Sequence, residues 1–335
     1  MDRMVDVKDL TKIYPPNVLA VDRISFHVDR GEIFGFLGPN GAGKSTTIKV
    51  LTTLLRRNGG TTTIDGLDPE SNPDAVRRLI GYAAQEIGVD DDLTGRENLR
   101  LQCRFYHLSS GQNEGRVNDL LEAVDLTEAA DRRAGTYSSG MRKRLDLAGA
   151  LIHRPKLLFL DEPTTGLDPQ NRRGVWDYIQ SLNDAGTTIF LTTQYMEEAD
   201  RLADRLCIID HGKIVAEGTP AALKGDIGAD VVRIGLKEDG GDPKDRAMQS
   251  LRALPGVRDI QEYEDGLAVY AADGPTLLPQ IVRTLDGARI TIAQLTYSAP
   301  SLDDVFLKHT GRKMRVEEVR MPSRMGMWGG RRRRM

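Results

Sequence analysis

The chain has 335 residues, room for two domains, and its 39% hydrophobic and 28% charged content is an ordinary soluble globular composition. The net charge of −3 gives no global pull toward nucleic acid, so no nucleic-acid partner is expected. No window approaches the ~18 consecutive apolar residues of a spanning helix, and the charged start, Met1 to Asp6, does not read as a secretory leader.

Residues 4–37 read as short strands. Val5 and Val7, then Ile24, Phe26 and Val28, then Ile33 to Leu37 are separated by turns at Pro15-Pro16-Asn17 and Asp29-Arg30-Gly31. Tyr14 is either a ring to stack on a base or a strand aromatic that packs locally. The stretch Gly38-Pro39-Asn40-Gly41-Ala42-Gly43-Lys44-Ser45, continuing into Thr46, fits G-x-x-x-x-G-K-[ST]. An apolar strand precedes it, and Ile48, Leu51 and Leu55 follow at helical spacing. Gly38, Gly41 and Gly43 permit positive φ and close backbone approach, so successive N–H groups can point at a β-phosphate. The helix N-terminus adds partial positive charge. Lys44 is placed for the β- and γ-phosphates and the Ser45 hydroxyl for Mg²⁺. The stretch is a binding site for a nucleoside triphosphate with Mg²⁺.

Further along, Asn58 to Gly66 reads as a hairpin, and Ile80 to Gln85 as a short strand with a polar end. A helical insertion follows. Thr94 and Glu97 form a capping-box pattern, Leu99, Cys103 and Tyr106 continue one face, and Val117, Leu120, Leu121 and Val124 mark a second helix. Tyr137-Ser138-Ser139-Gly140 precedes a helix with Met141, Leu145, Ala148, Leu151 and Ile152 on its apolar face. Those small residues are either a second anion site or simple caps.

Leu157 to Glu162 reads as a central parallel strand ending in two carboxylates. Beside a phosphate loop, Asp161 is the expected Mg²⁺-side carboxylate and Glu162 the candidate general base; the other reading is that both cap a strand end. Pro163 to Pro169 turns into a helix with Val175, Trp176 and Ile179. Thr187 to Gln194 is another strand with a polar end, and a hairpin around His211-Gly212 closes this part.

Near Gly225 the pattern restarts. Strand 231–236, a Gly240-Gly241 linker, helix 244–254, a strand pair over 256–271 turning at Glu264-Asp265-Gly266, helix 275–285 and strand 289–297 give the β-α-β-β-α-β order of a ferredoxin-like domain. A short helix capped by Ser301 with Asp304 at N3 follows. The tail from Gly311 is basic, with Arg331 to Arg334 near its end, and is either a solvated disordered end or a segment for anionic lipid or nucleic acid. Cys103 and Cys207 lie far apart, in no C-x-x-C and with no His at ligand spacing; both read as reduced packing residues of a cytosolic protein.

With these pieces in order, residues 4–220 resemble the nucleotide-binding subunits of ABC transporters. Tyr14 matches the aromatic that stacks on adenine, Gly38 to Thr46 Walker A, and Gln85 the Q-loop glutamine on the metal side. Tyr137 to Met141 matches the signature, Asp161 and Glu162 Walker B and the catalytic glutamate, and Gly166-Leu167-Asp168 the D-loop. Gln194 stands where the family has its switch histidine. Leu191 to Asp200 and Ser298 to Phe306 look most like the daunorubicin-resistance type of drug-export ATPase.

The resemblance implies an α/β fold, a P-loop ABC ATPase domain with a RecA-like core, an antiparallel β subdomain and a helical insertion over about 88–152, within residues 1–224. An α+β ferredoxin-like accessory domain over 225–310 and a basic tail over 311–335 complete the layout. It implies ATP hydrolysis with Glu162, Lys44 and Gln194 as catalytic residues. Ser45, Gln85 and Asp161 would stand at Mg²⁺. Tyr14, the Gly38–Thr46 loop, Gln85, Ser138, Ser139 and Gly140 would stand at ATP. It also implies a head-to-tail homodimer with each ATP between one copy's loop and the other's signature. A separate membrane permease would export a drug-like or lipid-like compound, with the ATPase peripheral at the cytoplasmic face. Three residues depart from the family pattern: Ser139 for glycine, Met141 for glutamine and Gln194 for histidine. Two other functions compete. A soluble ABC ATPase acting on ribosomes or DNA usually has two cassettes or a long coiled-coil insertion, and neither is present. A non-hydrolysing nucleotide sensor is opposed by intact Lys44, Asp161 and Glu162.

Overall fold

The computed structural model describes residues 2–108, 110–227, 230–237, 243–263, 266–312 and 314. The Gly240-Gly241 linker, Glu264-Asp265 of the predicted turn and the Arg331 to Arg334 run lie outside them.

Two strands of twelve residues open the chain, β1 (Arg3–Tyr14) and β2 (Val18–Asp29), antiparallel about a turn with a cis Pro15–Pro16 bond. They are longer than the short strands expected, because register shifts between Val7 and Lys12 let the ladder continue through a stretch of poor alternation. After them come β3 (Ile33–Leu37), α1 (Lys44–Leu51), β4 (Gly59–Ile64), α2 (Pro73–Leu79) and β5 (Ile80–Ala83). The predicted hairpin over 58–66 is not there. Strand β4 pairs with β1 instead, Val5 opposite Ile64 and Val7 opposite Thr62. The turn residues Asp65 and Gly66, both at positive φ, close only the isolated Ile64–Leu67 bridge at the strand's end.

The helical insertion holds α3 (Gly95–Phe105) and α4 (Ser110–Ala123), and α5 (Ser139–Ala150) leads back to the sheet. Then β6 (Leu157–Asp161), α6 (Pro169–Asp184), β7 (Thr188–Thr193), α7 (Met196–Leu202), β8 (Arg205–Asp210), β9 (Lys213–Gly218) and α8 (Pro220–Gly225) follow. The main sheet runs β5-β6-β7-β3-β8-β9, parallel except for β9. Strands β2-β1-β4 form a separate antiparallel sheet. Between the two sheets Phe26, Phe34, Phe36, Phe159 and Phe190 pack ring to ring at 5.3–5.9 Å. On the other face of the main sheet, Leu99, Cys103, Leu121, Leu145 and Trp176 bring the insertion and α6 into one core with Leu158 and Leu160.

The last part comprises β10 (Asp230–Leu236), α9 (Pro243–Arg252), β11 (Val257–Tyr263), β12 (Gly266–Ala271), α10 (Gly274–Gly287), β13 (Ile292–Ser298) and α11 (Leu302–Thr310). Its sheet order, β11-β12-β10-β13 and antiparallel throughout, is the ferredoxin-like arrangement. Both faces are used. Val232, Ile234, Leu267 and Val269 meet Ala247, Leu251, Leu277, Ile281 and Leu285 on one side. On the other, Val231, Ala268 and Tyr270 pack with Phe306 and Leu302 of α11 against Leu206, Ile208 and Ala199. Helix α11 is therefore the mortar between this sheet and the main one. The start of the expected tail also lies on the body: Arg312 reaches Asp210 at 2.8 Å and Met314 is buried. No helix among the described residues is long and apolar enough to cross a membrane.

Candidate active site

The sheet order places the chemistry. Strand β7 lies between β3 and β6, so the glycine loop after β3 and the carboxylates after β6 emerge side by side at the C-terminal ends of parallel strands. Two glycines show why the loop needs them. A Cβ on Gly38 would sit 2.3 Å from the Ile209 carbonyl. Gly43 has φ +108, and a Cβ there would stand 2.6 Å from the Ala20 carbonyl. Gly38 N–H donates to the Thr193 carbonyl at 3.1 Å, which pins the loop to β7.

Lys44 opens α1 and is 4% exposed. Its ammonium donates to the Gly38 carbonyl at 2.8 Å and the Pro39 carbonyl at 3.0 Å, and pairs with Glu162 at 3.1 Å. Burial pulls the Lys44 amine below the usual lysine range, and Glu162 and Asp161 oppose that. Ser45 donates its hydroxyl to Asp161 Oδ1 at 3.0 Å, and Thr192 donates to the same oxygen at 2.6 Å. Glu162 stands at φ +49; Gln85 Nε2 lies 3.4 Å from its Oε2, and Thr165 donates to that oxygen at 3.1 Å. Lys44, Ser45, Gln85 and Glu162, with Asn40, Gly41, Gly43 and Thr46, line a single cavity of about 280 Å³. Tyr14 is half-buried at its edge, its hydroxyl 3.4 Å from Thr46 Oγ1. A lysine, a hydroxyl, a carboxylate and a second carboxylate thus converge at the N-terminus of α1, an arrangement able to hold a polyphosphate and one divalent cation and to orient a water.

Gln194 follows β7 and is 1% exposed; its carboxamide oxygen has no hydrogen-bond partner among the described residues. Ser138 caps α5 by accepting from Met141 N–H at 3.2 Å, while Ser139 is half-buried. Gly140 packs so closely on Asn171 that a Cβ would meet its Oδ1 at 2.4 Å. These three residues are not among those lining the loop cavity.

Sequence reasoning missed Thr192, Thr165 and Glu198. Asp161 and Thr192 are register partners across β6 and β7, so the polar ends of two neighbouring strands were the available signal for Thr192. Glu198, on a helix not expected from the sequence, is fully buried and accepts from Thr164 Oγ1 at 2.7 Å and Trp176 Nε1 at 2.8 Å. Burial raises its carboxyl above the ordinary range.

Known proteins place the chain. The ABC transporter family profile matches residues 21–165, and the profile of the ATP-binding protein DrrA1-3-like C-terminal domain matches residues 218–310. The daunorubicin/doxorubicin resistance ATP-binding protein DrrA of Streptomyces peucetius is 44% identical over 92% of this chain and 93% of its own length. The doxorubicin resistance ATP-binding protein DrrA of Mycobacterium tuberculosis (strain ATCC 25618 / H37Rv) is 44% identical over 92% and 94%. The Nod factor export ATP-binding protein I of Mesorhizobium japonicum is 42% identical over 92% and 87%. Among solved structures, an ATP-binding subunit of an ABC transporter superposes with TM-score 0.60 at 31% identity, over 67% of this chain and 92% of that one. The ATP-binding cassette MJ0796, in a dimeric post-hydrolysis state with ADP and Pi, gives 0.59 at 25% identity, over 64% and 98%. The chain belongs to the ATP-binding, ATP-hydrolysing subunits of ABC transporters, of the drug-resistance DrrA type.

Proposed function

We propose that this chain powers the export of a drug-like or lipid-like compound through a separate permease, working as a head-to-tail pair at the cytoplasmic face of the membrane. The observation that carries the reading is the joining of Lys44 to Glu162 and of Ser45 to Asp161 beneath the glycine loop. The names of the relatives, which concern daunorubicin, doxorubicin and Nod factor, support the substrate class. In this reading residues 1–224 are the cassette and 225–310 an accessory domain.

Each residue has a task. The Gly38–Thr46 loop wraps the phosphates with N–H groups, and Lys44 exchanges part of its contact with Glu162 for phosphate oxygen. Tyr14 stacks on the base. Glu162 takes the proton of the attacking water, with Gln85 and Thr165 holding its carboxylate. Ser45 and Asp161 fit Mg²⁺, with Gln85 nearby, because Mg²⁺ is bound through few protein oxygens and completes its shell with phosphate and water. When bound it neutralises charge on the transferring phosphoryl group. Ser138, Ser139 and Gly140 face the γ-phosphate held by the other copy, and Gln194 offers its carboxamide to the γ-phosphate of its own. The dimeric state of the MJ0796 cassette supports this pairing.

The test is the solution mass of Glu162→Gln, by light scattering after size exclusion, with and without ATP and Mg²⁺. The expected result is a doubling of the 37.0 kDa species only with nucleotide. A mass that stays monomeric with ATP overturns the sandwich for this chain alone. A dimer without ATP assigns the joint to another surface.

A further inference from the structure

We propose that Lys143 and Asp146 are positioning residues that fasten the Gln85 loop to the helix bearing Ser138–Gly140, so that the two move as one piece. Strand β5 ends at Ala83, and the chain that follows has no ladder partner for its backbone groups among the described residues. Helix α5 supplies them. Lys143 Nζ donates to the Ala84 carbonyl at 2.9 Å, and Asp146 Oδ1 accepts from Gly88 N–H at 3.0 Å. Gln85 sits between these two anchors. A third tie lies farther on, where Arg142 meets both oxygens of Asp91 at 3.1 and 3.2 Å.

The two charged groups are costly for a merely structural seam. The Lys143 and Asp146 side chains are 4% and 12% exposed, Lys143 Nζ stands 3.8 Å from Asp146 Oδ2, and that oxygen has no hydrogen-bond partner among the described residues. Apolar residues would fill this seam at least as stably, since buried pairs seldom outperform packed side chains. What the pair adds is direction: donor and acceptor each grip one end of a loop in which Gln85, next to the first anchor, faces Glu162. Burial lowers the Lys143 amine and raises the Asp146 carboxyl, as expected for groups held dry.

The functional half rests on the sandwich reading. There, Gln85 serves the ATP of its own copy while Ser138–Gly140 of the same copy serves the ATP of the other. A rigid α5 grip would therefore tie the two nucleotide sites through each chain. Loosening it leaves the Gly38–Ser45 loop free to bind ATP but lets Gln85 drift from Glu162, so kcat falls and KM holds.

The experiment compares Lys143→Met, Asp146→Ala and Asp146→Asn in the full chain. Hydrogen exchange of the 84–92 peptide and steady-state ATPase kinetics are the readouts. Lys143→Met and Asp146→Ala are expected to speed exchange in that peptide and to lower kcat by about tenfold to a hundredfold with KM within about twofold. Asp146→Asn keeps an oxygen for Gly88 N–H and is expected to restore most of both. Unchanged exchange and kcat in the first two variants overturn the proposal. So does a rise in KM that parallels the fall in kcat, or an asparagine variant no better than alanine. If Glu162→Gln stays monomeric with ATP, the sandwich fails, yet exchange and kcat still decide the grip.

Discussion

At the residue scale, burial makes each polar group in the site consequential. Glu162→Gln is expected to lower kcat by about a hundredfold to ten-thousandfold while nucleotide still binds, as fluorescent-nucleotide titration beside ATPase assays would show. Gln194 adds no titrating group near neutral pH. Gln194→His is therefore expected to introduce a step in the pH–rate profile between about pH 5 and 8; an unchanged profile and rate would remove this side chain from the chemistry. Glu198 makes the opposite case, a carboxyl whose folded-state pKa lies above its unfolded one. The folded chain then holds that proton at pH values where the unfolded chain has released it. Stability from the neutral form is complete below the ordinary carboxylate range and is lost as pH rises through the raised value. Glu198→Gln keeps an acceptor for Thr164 and Trp176 without the charge. It is expected to raise Tm near pH 7, by about 1–2 °C per kcal/mol gained, with the advantage vanishing in acid. Thermal melts at a series of pH values check it.

At the scale of elements, local spacing carried some features and register carried others. The glycine loop, the Asp161-Glu162 strand end and the Thr94–Glu97 capping box are each written within a few consecutive residues, and all were legible. In the structure Thr94 N–H donates to Glu97 at 2.8 Å and Glu97 N–H to Thr94 Oγ1 at 3.2 Å. Thr192 on Asp161, Lys44 on Glu162 and Lys143 on Ala84 join residues 31, 118 and 59 positions apart. Only the β5-β6-β7-β3 order brings such partners together, and periodicity says nothing of that order. The hairpin read into 58–66 failed for the same reason: its turn chemistry was visible, but its partner strand lay at the start of the chain. Short helices α2, α7 and α8 escaped notice because seven or fewer residues hold too little repeat to count. Strand β7 supplies the energetic test. Phe190 touches four other rings, so Phe190→Ala is expected to cost about 3–5 kcal/mol in urea unfolding, far more than an exposed substitution.

At the scale of the whole molecule, the apolar seam around α11 decides cooperativity. Phe306, Leu302 and Val305 are buried between the C-terminal sheet and Leu206 and Ile208 of β8 with Ala199 of α7. Arg233 also reaches the buried Asp304 at 2.6 Å, so the helix is fixed to the C-terminal sheet by charge as well as by packing. Calorimetry is expected to show one unfolding transition for the full chain, and Phe306→Ala to lower it or divide it in two. Two transitions in the parent would mean that the seam does not couple the parts. The two thiols have a different use. Cys103 and Cys207 are both buried and both raised in pKa by that burial, and the chain has no other cysteine. A maleimide spin label or dye therefore finds no native target on the folded protein. A single engineered anchor such as Glu122→Cys, on the exposed side of α4, would report distances between copies through the catalytic cycle without first stripping the chain of its own cysteines.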